Sequence, residues 1–123
     1  MARLQKDEIR EERIAMEIIV DAYGPEELAM SWYTYLEDNL TFPFDAECAD
    51  ELTASPLCVG DEVEVLEMAP EEECEQEMFV VVRLQQEEFT VPLMQLILIE
   101  GDDETQESME DWYYWVRQGY CFE

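Results

Sequence analysis

Residues 37–51 read EDNLTFPFDAECADE, and they mark the place where a predicted helix ends and an acidic loop begins. The helix is predicted over residues 25–39, so its last turn contains Glu37 and Asp38. A helix C-terminus is the negative end of the helix dipole and favours cations. Its final carbonyl groups also lack intrahelical partners. Carboxylates and free carbonyl oxygens therefore meet at one point, and a bound cation would stabilise that arrangement.

Calcium is the cation that this donor set favours, because calcium collects carboxylate and carbonyl oxygens in sets of about six to eight. We expect Glu37 and Asp38 to supply carboxylates, the main chain near Leu40 to supply a carbonyl oxygen, and Asp50 to act as a distal ligand. The chain has no Asp-x-Asp-x-Asp-Gly sequence, so an EF-hand is excluded and the ligands must come from several segments. The alternative is a solvated acidic loop in a protein rich in acid.

Two further acidic clusters are candidates for the same chemistry. Glu72 and Glu73, within the glutamate-rich turn 69–77, are predicted to donate distal carboxylates, although a solubilising turn explains most of these residues equally well. Asp102 and Asp103 begin the last predicted helix, where the dipole and N-capping already favour acids. A weak cation site at this helix start would be favoured only if another acidic loop lay next to it.

The composition limits the partners of the chain. It has 123 residues, 33 of them acidic and 6 basic, which gives a net charge of −27. Hydrophobic residues make up 48%, enough for one core, so the chain is not a disordered acidic tail. The charge argues against nucleic acid and against an anionic membrane surface. Cations or a basic protein are the partners that such a charge attracts.

The residues with reactive side chains give little support for catalysis. The chain has no histidine, which excludes Ser-His-Asp, Cys-His and HExxH chemistry. Its four cysteines are scattered without a CxxC pair and do not predict a zinc site. The N-terminus does not resemble a signal peptide and no run is long enough to span a membrane, so we expect a cytoplasmic location.

Periodicity predicts the elements of an α+β fold. Residues 7–22 have a helical apolar stripe, with Gly24 expected to cap this helix and Pro25 to begin the next. Short alternating strands are predicted between residues 57 and 99, and they suggest a small SH3-like barrel or a curled antiparallel sheet. Residues 102–118 return to a helical pattern.

The chain is therefore expected to form one acidic domain over residues 1–123. Its parts are a helical hairpin (1–40), an acidic loop (41–56), a β-sheet (57–99) and a C-terminal helix (100–123).

The order of short sequence strings along the chain resembles a known family, the small acidic calcium-binding proteins of cyanobacteria called CcbP. The strings that carry the resemblance are REERI (10–14), DAYGPEE (21–27), YLEDNL (35–40), FPF (42–44), SPL (55–57), VGDEV (59–63), MAP (68–70), MFV (78–80), VPL (91–93), DETQE (103–107), EDW (110–112) and YWV (114–116). Each string is weak alone, and their number and order make the resemblance specific.

The resemblance implies a cytoplasmic calcium-binding protein without EF-hands, with more than one site of unequal strength. It also implies a calcium buffer or sensor in calcium signalling, which restrains heterocyst differentiation by sequestering calcium. A rival class is an acidic nucleic-acid mimic that occupies the binding cleft of a basic partner, which explains the net charge equally well. An enzyme is the weakest interpretation, because only a carboxylate pair remains to catalyse.

Overall fold

The computed structural model describes residues 7–20, 22–50, 55–120 and 122. In chain order its helices and strands are α1 (Glu8–Arg13), a π-helical turn (Ile14–Ile18), α2 (Pro25–Asn39), β1 (Phe44–Cys48), β2 (Glu62–Met68), β3 (Phe79–Leu84), β4 (Glu87–Pro92), β5 (Leu96–Glu100) and α3 (Asp103–Arg117). Short 3₁₀ turns occupy Glu71–Glu73 and Leu93–Gln95. No helix within these residues is long and apolar enough to cross a membrane.

The strands form one antiparallel sheet in the order β4-β3-β2-β1-β5. The predicted α+β class is confirmed. Of the two arrangements that the sequence suggested, the described strands adopt the open curled sheet, since β4 and β5 are its edges and do not pair with each other. Bulges interrupt the register between Asp45 and Ala46 and between Val65 and Glu67, and bulges bend and twist a strand locally.

Two segments differ from the prediction. The stretch predicted as the acidic loop 41–56 contains strand β1, whose residues alternate between buried and more exposed positions. The first helix is shorter than the predicted 7–22, because α1 passes into a π-helical turn that ends at Ile18. Gly24 is therefore not the C-cap of the first helix; its extended backbone forms the N-cap of α2, and Pro25 begins α2 as predicted.

The core lies between one face of the sheet and helices α2 and α3. Trp32 of α2 is fully buried, and its ring meets the rings of Trp112 and Trp115 of α3 at 5.2 and 5.5 Å between centroids. Two tyrosine hydroxyls fasten the helices to the sheet, since Tyr33 donates to the carbonyl of Ala69 and Tyr113 to that of Leu96. Apolar burial of this kind is the main driving force for folding.

Helix α1 is held by charge rather than by apolar packing, because none of its residues is buried. Its Arg10 and Arg13 both donate to the carboxylate of Asp111 on α3, at 2.5 Å for Arg10 Nη1 and 2.8 Å for Arg13 Nη1. Tyr35 of α2 donates to the same carboxylate at 2.6 Å. Asp111 is 0% exposed. The hydrogen bonds between Arg13 and the Asp111 carboxylate raise the pKa of the Arg13 guanidinium above its ordinary value.

We predict that Asp111→Asn lowers the free energy of unfolding by about 3 kcal/mol, because it leaves two partly buried guanidinium groups without their anion. The matched control is Glu110→Gln, which removes a half-exposed carboxylate 3.6 Å from Arg10. Urea unfolding followed by tryptophan fluorescence measures both variants. A loss below about 1 kcal/mol for Asp111→Asn, the range of a surface ion pair, would contradict this role.

Candidate metal site

The C-terminal end of α2 has free main-chain oxygens. Leu40 ends the helix in an extended conformation (φ −79°, ψ 128°), and its N–H bonds to the Leu36 carbonyl at 2.9 Å. Within the described part of the chain, no donor reaches the carbonyls of Glu37, Asp38 or Asn39. The last turn contains no basic residue. The negative end of this helix is therefore left without a compensating charge, as the sequence indicated.

The N-terminal end of α3 lies directly beside this helix end. The hydroxyl of Thr41 donates to Asp102 Oδ2 at 2.7 Å, and the N–H of Thr41 donates to Thr105 Oγ1 at 2.9 Å. Residues 37–41 and 100–105 thus form one region, which we call the helix junction. The acidic clusters at 37–38 and 102–103 were predicted from separate parts of the sequence, and the fold brings their two segments together.

Asp102 is the N-cap of α3 and is already engaged. Its Oδ1 accepts from the N–H of Thr105 at 2.8 Å, and its Oδ2 accepts from Thr41. The hydrogen bonds from Thr41 and Thr105 hold the pKa of Asp102 below its ordinary value. Asp103 follows in the first turn of the helix and is exposed. The capping explanation therefore accounts for Asp102, while the Asp103 carboxylate faces solvent.

Glu37 and Asp38 lie on different sides of α2, because successive helical residues point about 100° apart. Glu37 lies toward the β2–β3 connection, where its charge acts on Tyr33. Asp38 lines a groove of about 510 Å³ with Asn39 and with Glu17 of the π-helical turn. Both carboxylates are exposed, and neither has a hydrogen bond or ion pair with any described residue.

Three acids near the junction segments were not among the predicted ligands, although Asp45 lies in the acidic stretch 37–51. Asp45 of β1 lies opposite Glu100 of β5 and opposite Glu64 of β2, so carboxylates stand on three adjacent strands. Like charges directly opposite each other destabilise a sheet. Glu17 is the third missed residue, since it shares the groove of Asp38. Alternation within β1 was the available signal for Asp45, whereas Glu17 and Glu100 are brought close only by tertiary packing.

The remaining predicted ligands lie elsewhere. Strand β1 carries the chain roughly 13 Å, at about 3.3 Å per residue, before it reaches Asp50. The Asp50 carbonyl is occupied by hydrogen bonds from Gln95 Nε2 at 2.9 Å and Cys48 Sγ at 3.1 Å. Glu72 and Glu73 occupy the 3₁₀ turn of the β2–β3 connection, and Glu72 faces the N-terminal half of α2. As ligands, Asp50, Glu72 and Glu73 stay predictions, and none of them has a hydrogen bond to residues 37–41 or 100–105 among the described contacts.

The chemistry of the junction fits a hard cation. Within the described residues, no three cysteine, aspartate or glutamate side chains are grouped closely enough to hold a metal ion by themselves. The oxygens without hydrogen-bond donors at the junction are main-chain carbonyls of the α2 end and the exposed carboxylates of Asp38 and Asp103. Oxygen sets of this mixed kind suit calcium, whereas zinc prefers thiolate and imidazole.

Comparison with known proteins also indicates calcium as the bound ion. A family model described as calcium binding, CcbP, matches residues 12–116. The fold is similar to the crystal structure of Anabaena CcbP, with a TM-score of 0.86, 44% sequence identity and 98% of each chain covered. It is equally similar to a calcium-binding protein in its calcium-binding form, with a TM-score of 0.86, 43% identity and 98% of each chain covered. Among curated proteins no significant match was found.

The family model and the two solved structures, which match nearly the whole chain, identify a calcium-binding protein with an open antiparallel sheet. The chain belongs to the CcbP family of calcium-binding proteins. The resemblance that the sequence strings carried is thereby confirmed, and so is calcium as the ion of the family.

We predict that Thr41→Val raises the pKa of Asp102 toward its ordinary value, because it removes one of the hydrogen bonds that favour the ionised form. A carboxyl group whose pKa is lowered by folding stabilises the fold at neutral pH and loses that contribution as the pH falls through its folded-state pKa. The variant should therefore lose less stability than the parent on acidification. A carbon-detected NMR titration measures the pKa, with Thr90→Val, on the outer face of β4, as the control. An Asp102 pKa equal to that of the parent would show that Thr41 does not act on it.

Proposed function

We propose that the protein binds its principal calcium ion at the C-terminal end of α2. Asp38 supplies the carboxylate, and the free carbonyls at the helix end, with that of Leu40, supply main-chain oxygens. The observation that carries this proposal is the helix end itself, where the carbonyls of Glu37, Asp38 and Asn39 have no donor among the described residues and the last turn has no basic residue. Glu17 shares the groove of Asp38 and would add charge or a further ligand, whereas Glu37 lies on another side of α2 and would add charge only.

We assign a second, weaker site to the opposite side of the helix junction. Asp103 would be its carboxylate, and Glu100, which pairs with Asp45 between β5 and β1, precedes it in the same connection. Asp102 supports this site as a cap that fixes the loop, since both of its oxygens already accept hydrogen bonds. Glu72, Glu73 and Asp50 lie on other segments, and as ligands they would serve separate ions.

The binding mechanism is electrostatic. A net charge of −27 concentrates cations near the surface, and the fixed carbonyl and carboxylate oxygens then bind one of them. The bound ion lowers the repulsion between neighbouring carboxylates, so binding stabilises the folded chain by linkage. Calcium is favoured over magnesium because magnesium demands near-ideal octahedral geometry and gives up its water reluctantly.

The cellular role follows from the family rather than from the site. We infer a non-enzymatic cytoplasmic calcium buffer or sensor, which acts in calcium signalling and restrains heterocyst differentiation by sequestering calcium. A buffer would bind calcium without changing which residues are exposed, whereas a sensor would expose a new surface when calcium binds. Amide hydrogen exchange with and without calcium distinguishes these two behaviours.

We predict that Asp38→Asn weakens the strongest calcium site by at least about tenfold, or roughly 1.4 kcal/mol, because it removes a full charge where the helix dipole is most unfavourable. Isothermal titration calorimetry with calcium, and separately with magnesium, gives the affinity, the stoichiometry and the selectivity.

The matched control for this titration is Glu87→Gln, which removes the same charge from exposed strand β4 at the far edge of the sheet. It should leave the strongest site within about twofold of the parent. Equal losses in the two variants would show that the affinity comes from net charge alone, and an unaltered Asp38→Asn titration would place the site elsewhere.

A further inference from the structure

A second cleft lies at the other end of α2 from the helix junction. It has a volume of about 760 Å³ and runs between the N-terminal half of α2 and the connection from β2 to β3, with Phe122 at one end. The α2 wall is fixed, because Tyr33 donates to the Ala69 carbonyl at 2.7 Å. The opposite wall is fixed by the 3₁₀ turn, where the N–H of Cys74 bonds to the Glu71 carbonyl at 2.9 Å. Hydrogen bonds therefore hold both walls of the cleft in place.

Its floor is apolar. Ala29, Tyr33, Cys74 and Phe122 line it, and each of the four belongs to the buried core and is less than 10% exposed. Met30 stands at the edge and is 44% exposed. An apolar floor of this size suits side chains of a bound segment and offers nothing to a bare cation, which needs oxygen ligands.

Its rim is a row of carboxylates without cations. Glu26, Glu71, Glu72 and Glu75 line the cleft, and all four are exposed. None has an ion pair with a described residue. The described arginines are engaged elsewhere: Arg10 and Arg13 at Asp111, Arg83 at Glu64 and Arg117 over the ring of Tyr113.

The pKa of the Tyr33 hydroxyl is raised in this negative environment. Burial first, and then the charges of Glu37, Glu71 and other nearby groups, raise the pKa of Tyr33 to about 12. The floor and the rim therefore combine apolar contact with a concentrated negative potential.

We propose that this cleft binds a basic, amphipathic segment of another protein, in which one apolar anchor is flanked by lysine or arginine. The anchor would occupy the floor between Ala29 and Phe122. The aliphatic stems of the flanking side chains would cover Met30 while their charged ends reach the rim glutamates, as long cationic side chains do when they lie over apolar surface. This function uses none of the ligands proposed at the helix junction, although Met30 also lines the groove of Asp38, and it uses Glu72 as a docking charge.

The test uses the full chain in the presence of a calcium chelator, so that its outcome does not depend on calcium binding. The probe is the fluorescein-labelled peptide KLRFKLR, and the comparison peptide is KSRSKSR, which has the same charge and no apolar side chain. Fluorescence anisotropy at physiological salt measures both. We expect KLRFKLR to bind at least about tenfold more tightly, because diffuse attraction to an acidic surface is screened and does not distinguish the peptides.

Two matched triple variants locate the binding. E71Q/E72Q/E75Q should weaken binding of KLRFKLR by at least about tenfold. E8Q/E12Q/E87Q removes the same charge from exposed positions on α1 and at the start of β4, and it should leave binding within about twofold. Met30→Ala should weaken KLRFKLR and leave KSRSKSR unchanged.

Three outcomes would overturn the proposal. Equal affinity for the two peptides, or equal losses in the two triple variants, would reduce the interaction to net charge. A concentration-dependent dimer of the protein alone that is lost in E71Q/E72Q/E75Q would assign the cleft to a second copy of the chain.

Discussion

The excess of carboxylates over cationic side chains is the constraint on which the rest of the structure depends. With 33 acidic and 6 basic residues, the fold has few arginines with which to oppose its own repulsion. Two of them meet on one buried carboxylate, Asp111, where they hold α1 against α3 and α2. An ion pair in that setting is far less screened than one on the surface. The arrangement secures the N-terminal helix and leaves most surface acids without a protein counter-ion.

The acids without partners are not equivalent, because the helices differ in how their ends are satisfied. The N-terminal end of α3 is capped by Asp102, so its acids lie where the dipole favours them. At the C-terminal end of α2 the Asn39 side chain donates to the Tyr35 carbonyl, but the last turn has no basic residue, and Asp38 adds charge of the same sign as the dipole end. Thr41 joins these two ends. A calcium ion bound there, as we propose, would supply the positive charge that the last turn of α2 lacks.

The sequence predicted the elements with strong local patterns and missed those that depend on tertiary contacts. Helices α2 and α3 were placed within a residue or two, because their apolar stripes and the Gly24–Pro25 boundary are local signals. Strand β1 was taken for a loop, since its acidic composition concealed the alternation of Phe44, Ala46 and Cys48 toward the core. The closeness of Glu17 to Asp38 and of Asp45 to Glu100 follows from packing and strand register, which no local pattern encodes.

A backbone-amide NMR titration with calcium at physiological salt tests the position of the site most directly. The amide shifts of the first equivalent should concentrate in residues 37–41 and 100–105, and magnesium at the same concentration should not reproduce them. Shifts that are spread evenly over the acidic surface, or that are largest in residues 71–77, would contradict a principal calcium site at the helix junction.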